Sequence, residues 1–167
     1  RPGSRSLLDE DEGFADVIEV IRMVRDDPRA WAWVPIILNR IALFCRTMDT
    51  DTWPDEAVEL TRYWFATGDP RLGLWVGIQD QERLVGHLLA TPEPLGSKEA
   101  RYVLIRQAQV DPGLDSRKAA RETFQQVLDW TKAQGLTQLT MVTHRSAVSM
   151  ARRWEFQQQK VIMRRTV

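Results

Sequence analysis

Apolar residues in the first part of the chain recur at three- and four-residue intervals. Phe14, Val17, Ile18, Ile21 and Val24 predict an amphipathic helix over about 13–26. It follows a flexible arm, residues 1–13, rich in Arg, Gly, Ser and acidic side chains. Asp27-Pro28 supplies an N-cap and a first-turn proline. Pro35 lacks an amide donor and predicts a kink or restart there. Beyond it Ile37, Ile41, Phe44, Cys45 and Met48 form one stripe of a second helix. A third helix starts at Pro54, turns Ala57, Leu60 and Trp64 inward and ends near Gly68.

The pattern changes at Leu72. Leu72 to Ile78 and Leu84 to Thr91 are apolar and β-rich, and Gln79 to Glu82 is polar, which predicts a hairpin closed off by Pro92 and Pro94. Tyr102 to Val110 reads as a strand ended by Asp111-Pro112-Gly113. Residues 115–134 read as a long helix with Ala120, Phe124, Val127 and Trp130/Thr131 on one side, and Gly135 is a natural residue to follow its end. A strand from Leu136 to Thr143, a short helix from Ala147 to Trp154 and a strand from Val161 to Thr166 complete the chain. This order gives an α/β (α+β) fold: a mixed central sheet flanked by helices, with the helices after residue 72 on one side. One domain is expected over 14–167, with a helical layer at 14–68 and the hairpin and core motifs at 72–167.

Charge narrows the function classes. The chain of 167 residues carries 23 basic and 23 acidic side chains. Zero net charge argues against nucleic acid or a membrane surface as the partner. The most apolar run, Val34 to Cys45, is too short and too polar to span a bilayer, and no secretory signal is visible. Cys45 is the single cysteine, so no intrachain disulfide forms; a reducing, cytoplasmic location is expected. Two histidines and one cysteine far apart in sequence lack metal-ligand spacing, so no metal site is expected. Seven tryptophans are many for this length, and Trp anchors cores and interfaces alike.

Two stretches carry a family resemblance. Val110-Asp-Pro112-Gly-Leu-Asp-Ser-Arg-Lys-Ala-Ala120 is a strand running into a long helix. It resembles the Val-x-Pro-x-x-Arg-x-x-Gly-x-Gly/Ala junction of the GNAT (Gcn5-related N-acetyltransferase) family. His144-Arg-Ser-Ala147-Val-Ser-Met-Ala-Arg-Arg-Trp-Glu-Phe156 is similar to that family's closing Asn-x-x-Ala-x-x-x-Tyr-x-x-x-Gly-Phe. The resemblance implies an acyl-CoA N-acyltransferase fold and acetyl-CoA as acyl donor. The helix N-terminus, with its unpaired amides and positive dipole end, would hold the CoA pyrophosphate. The strand beside it would pair with the pantetheine arm. Carried onto this chain, the cofactor-binding positions are Val110, Ser116, Arg117, Lys118, Ala119, Ala120 and Arg121.

The departures from the family pattern fall on its functional positions. Asp115 stands where the family has Arg, Lys118 where it has the first Gly, and Ala120 at the second Gly or Ala position. An Asp N-cap competes with phosphate for the helix amides, and Lys118 brings a long side chain to a close-approach point. Arg117, Lys118 and Arg121 could instead bind phosphate through their side chains. Ala151 falls where the family often has a Tyr that protonates the thiolate, His144 takes the Asn position and Glu155 replaces a Gly. The strand from Arg101 to Val110 carries no carboxylate, which leaves His87 and His144 as the candidate catalytic bases. Glu93 and Glu99 are expected to face water. Ser146 and Ser149 lack a nucleophile-elbow context.

Two expectations follow from different function classes. One is an acetyl-CoA-dependent N-acetyltransferase with a degraded site, acting on an amine. The other is a catalytically inactive scaffold that makes protein contacts or self-associates through its Trp-rich helices, Trp31, Trp33, Trp53 and Trp64, in a larger assembly such as a virus particle.

Overall fold

The computed structural model describes residues 18–47, 53–69, 71–94, 99–111 and 117–141. In chain order these form β1 (Ile18–Arg22), α1 (Pro28–Thr47), α2 (Trp53–Thr67), β2 (Leu74–Asp80), β3 (Arg83–Glu93), β4 (Tyr102–Val110), α3 (Arg117–Ala133) and β5 (Leu139–Met141). The arm 1–13, the expected helix from Ala147 and the expected last strand from Val161 lie outside the described residues. The strands form one sheet in the order β1-β2-β3-β4-β5. Neighbours are antiparallel up to β4, and β4 and β5 are parallel, so the sheet is mixed.

The segment expected as the first helix is a strand. β1 pairs with β2 from Ile18 opposite Asp80 to Arg22 opposite Val76. Its β-branched Ile18, Val20 and Ile21 favour an extended backbone. Both sheet faces are covered here: Val20 packs on the α3 side, whereas Ile21 packs with the cluster beneath α1 and α2. A strand that is apolar on both faces loses its two-residue alternation, and the remaining apolar intervals imitate a helix.

α1 begins as its sequence dictates. Asp27 caps it, its Oδ1 accepting from the Arg29 amide at 2.9 Å. The expected restart at Pro35 does not occur: one helix runs through it. Proline costs a helix one amide donor, but the buried row Ala30, Trp33, Ile37 and Ile41 continues across that point. Packing of this row outweighs the local loss. Phe44 and Cys45 belong to the same helix, but their side chains lie outside the described ones, as do those of Ala57 and Leu60 on α2.

The described helices divide between the two sheet faces, α1 and α2 on one and α3 on the other. Beneath α1 and α2, Trp33, Ile37, Ile41 and Trp64 pack on Trp75, Leu84 and Leu89. The Trp64 and Trp75 rings lie 5.8 Å apart, tilted by 34°. Gly77 forms the seat for Trp33: a Cβ there would overlap the indole ring. On the opposite face α3 sets Val127 and Trp130 on Leu74, Val76, Leu88, Ala90, Val103 and Ile105. The buried positions of α3 are Ala119, Thr123, Val127, Trp130 and Thr131, one residue round from the expected Ala120 and Phe124, which are half-buried. Gly135 ends the helix with φ 73°. Its amide donates to Lys132 O at 2.9 Å and the Leu136 amide to Thr131 O at 3.1 Å, the paired bonds of a left-handed glycine cap. No helix among the described residues is long and apolar enough to cross a membrane.

Candidate active site

The chemistry gathers on β3, β4 and the start of α3. β3 is buried from Leu84 to Pro92. Two bulges shape its neighbourhood. Ile78 faces Gly86 and Gln79 faces Leu84, so Val85 is the extra residue on β3. Leu89 faces Gln107 and Ala90 faces Ile105, so Arg106 is the extra residue on β4. Bulges bend a strand and re-aim its side chains.

At the second bulge Arg106 joins two residues of β3. Its Nε donates to Thr91 Oγ1 at 2.8 Å, and its guanidinium pairs with the Glu93 carboxylate. Both charged side chains are largely buried. Glu93 therefore does not face water as expected; it ends β3 as the partner of a buried arginine. Glu99 is exposed.

His87 lies on β3, one per cent exposed. Its Nε2 lies 2.8 Å from Gln107 Oε1; with Nε2–H as the donor, Nδ1 is the bare nitrogen. Burial pushes its pKa down from 6.5 to about 4, partly opposed by the bond to Gln107, with a further lowering from the Arg40 charge. The expected near-neutral base is thus a neutral, enclosed ring, and a pKa so far below neutrality suits proton abstraction poorly. His144 lies outside the described residues.

β4 meets β5 over three residues, Val103 to Ile105 opposite Leu139 to Met141. From Gln107 to Val110 no described residue pairs with its β5-side edge. Such an edge presents backbone donors and acceptors that an extended amide chain can pair with. The same strand leads, through residues 112–116, into α3.

α3 opens with Arg117 and Lys118, has no acid in its first turn, and carries Arg121 one turn on. All three are exposed. Lys118 is 87% exposed and lies 3.8 Å from Glu122. Its side chain stands in solvent, and residues 112–116 just before the helix lie outside the described ones. Ala119 is buried against Ile78 and Val85 and fixes the helix start on the sheet, with Ala120 half-buried beside it. Val110, at the end of β4, is exposed. Asp115 and Ser116 lie outside the described residues. The described part of this helix end fits a phosphate-bearing ligand: cations on its rim, aligned amides within. Among the described residues no cluster of metal-ligating side chains is present.

Spacing in the sequence pointed to the cations of α3. It gave no sign of Arg106–Glu93 or of Gln107 behind His87, because these pairs form only when β3 and β4 align.

The model of the acetyltransferase (GNAT) family matches residues 38–156. The chain belongs to the GNAT acetyltransferase family. Solved members share its fold at low identity. The predicted acetyltransferase of Clostridium acetobutylicum, solved with acetyl-CoA, is 10% identical with a TM-score of 0.63, over 90% of this chain and 96% of that one. An aminoglycoside acetyltransferase from an uncultured soil metagenomic sample, in complex with sisomicin, is 14% identical with a TM-score of 0.57, over 90% and 96%. The ribosomal-protein-alanine N-acetyltransferase of Brucella melitensis is 13% identical with a TM-score of 0.50, over 90% and 100%. No curated protein matches the chain in sequence. The acceptors named for these neighbours differ widely, so membership of the family leaves the acceptor open.

Proposed function

We propose that the protein is an acetyl-CoA-dependent N-acetyltransferase whose phosphate site works through side-chain cations in place of the family's glycines. The observation that carries this reading is the junction of β4 and α3. A strand edge with which no described residue pairs, from Gln107 to Val110, leads toward a helix whose first turns carry the exposed Arg117, Lys118 and Arg121. Acetyl-CoA supplies, when bound, a thioester acyl carbon that an amine attacks with expulsion of the thiolate.

The chain's own contributions are binding, positioning and proton handling. Arg117, Lys118 and Arg121 attract the phosphates, and the α3 amides and dipole add to that attraction. The β4 edge orients the pantetheine amides, which places the thioester by geometry rather than by charge. Of the two histidines, we assign His144 the proton accepted from the amine; His87 supports β4 through Gln107. The departure of Ala151 from the family's Tyr leaves the thiolate to take its proton from water, which points to a slow reaction.

The scaffold reading keeps one supporting observation: Trp31, 52% exposed, with Ile36 and Leu43, exposes apolar surface on α1. Trp33 and Trp64 are buried in the core and offer nothing to a partner.

Release of free CoA thiol from acetyl-CoA, followed across a panel of amines, tests the enzymatic reading. Amine-dependent release abolished by H144A supports it. No release above the uncatalysed rate with any amine, or release untouched by H144A, counts against the reading and against the base respectively.

A further inference from the structure

Past its bulge, burial does little to say how β4 should sit on β3. Gln107 is buried, whereas Ala108 and Val110 are exposed. A strand whose apolar side chains are not the buried ones leaves its register to other contacts. Two registers compete. In the structure Gln107 faces Leu89 and Gln109 faces His87, with Arg106 as the extra residue. Were β4 regular past Ile105, Arg106 would face Leu89, Gln107 would face Leu88 and Ala108 would face His87. That slip of one place turns Gln107 away from His87 and toward the α3 face. It also exchanges the edges to which the β4 amides point, because residues of an antiparallel pair alternate between bonding the partner strand and facing away from it.

The contacts of Arg106 belong to the first register alone. Ile105 packs on the α3 face, and Arg106 and Gln107 then both turn to the other face, where they meet Thr91 and His87. Thr91 Oγ1 accepts from Arg106 Nε at 2.8 Å and donates to Glu93 Oε1 at 3.2 Å, and the guanidinium closes the ring on Glu93. The rigid guanidinium fork gives this clamp a direction that a point charge lacks. The first bulge is tied from α1 instead, where Arg40 Nη2 donates to Leu84 O at 3.1 Å and lies 2.9 Å from Asp111 Oδ1. A buried ion pair adds little stability over apolar side chains of similar volume, and its best-attested use is to specify register. We propose that Arg106, clamped by Thr91 and Glu93, is a positioning residue that fixes the register of β4 from Gln107 to Val110 and with it the amides offered to an acyl donor along that edge. The acyl-donor part of this inference rests on the proposed function; the register lock does not.

The experiment compares the full chain with E93M/R106M and R106K. Register is read from cross-strand NOEs by NMR without acetyl-CoA, and acetyl-CoA affinity by calorimetry. The double variant carries the decision, because changing Arg106 alone to an apolar residue strands the Glu93 carboxylate in the interior. E93M/R106M is expected to resist urea as well as wild type does. It is expected to lose the NOEs between His87 and Gln109 and to gain NOEs between His87 and Ala108. Acetyl-CoA should bind about tenfold more weakly, as one or two edge hydrogen bonds are lost. In turnover kcat falls while KM rises, because the thioester is misplaced as well as less tightly held. R106K keeps the charge without the Nε bond to Thr91 and is expected to fall between the two proteins. A double variant that keeps the NOEs of His87 with Gln109 overturns the lock. A double variant that fails to fold shows that the pair holds the fold rather than the register, and overturns it too. A slipped register with unchanged affinity and kcat overturns the positioning role. Should wild-type protein bind no acetyl-CoA, the proposed function fails, and the NOE comparison still decides whether Arg106 sets the register.

Discussion

The two faces of the sheet are built differently. On the α3 face the buried side chains are apolar but for the hydroxyls of Thr123 and Thr131, and none is charged: Leu74, Val76, Leu88, Ala90, Val103 and Ile105 meet Val127 and Trp130. On the α1–α2 face an equally apolar half beneath Trp33, Trp64 and Trp75 gives way, toward β4, to His87, Gln107, Thr91, Glu93 and Arg106. Buried polar groups cost free energy unless each is paired, so a second apolar half would have been the more stable choice. The α3 face is thus the part of the molecule committed to stability. The β3–β4 part of the other face carries polar groups that stability alone does not call for.

Substitutions should separate these regions by size of effect. W130A empties the α3 face and is expected to cost about 3–5 kcal/mol, read by urea denaturation; a loss near zero would mean that α3 does not hold the sheet.

Next comes the buried histidine of the polar region. Its folded-state pKa of about 4 lies below the ordinary 6.5, so as pH falls the unfolded chain takes up the proton first. The stability that depends on a neutral His87 is complete above pH 6.5 and is lost as pH falls toward about 4. Across that window wild-type protein should lose up to about 3 kcal/mol more than H87Q. Parallel pH profiles for the two proteins would show that the ring is not sealed in the folded state.

G77A presses a methyl group against Trp33 and is expected to cost about 1–3 kcal/mol, with Tm lowered and the cooperative transition retained. Smallest in stability is K118A, expected to stay within about 0.5 kcal/mol because the side chain stands in water. Its effect belongs to acetyl-CoA affinity instead, and a stability loss without an affinity loss would remove Lys118 from the site.

The legible parts of the fold were those whose pattern is local. Tyr102 to Val110 stood out as a strand because turn residues bound it, and Gly135 marked the end of α3 because few residues take φ 73° readily. β1 was hidden because Val20 and Ile21 are both apolar on opposite faces. On α3 Val127, Trp130 and Thr131 are buried as expected, but the first half of the row was misjudged by one residue because it includes Thr123, a polar side chain that the pattern assigns to water.

The candidate site was legible only where it follows one stretch of chain. Arg117, Lys118 and Arg121 declare themselves by position at a helix start. For Lys118 spacing gives the residue's place but not the direction of its side chain, which stands in solvent. Arg40 and Asp111, and Glu93 and Arg106, meet only through strand register and a helix crossing, which no local pattern encodes.

The most direct measurement is a calorimetric titration of acetyl-CoA into the purified full chain, repeated with Arg117, Lys118 and Arg121 all changed to Ala. The account predicts saturable one-to-one binding in the micromolar range, weakened at least about tenfold in the triple variant. No saturable heat up to millimolar acetyl-CoA, or equal binding by both proteins, would contradict it.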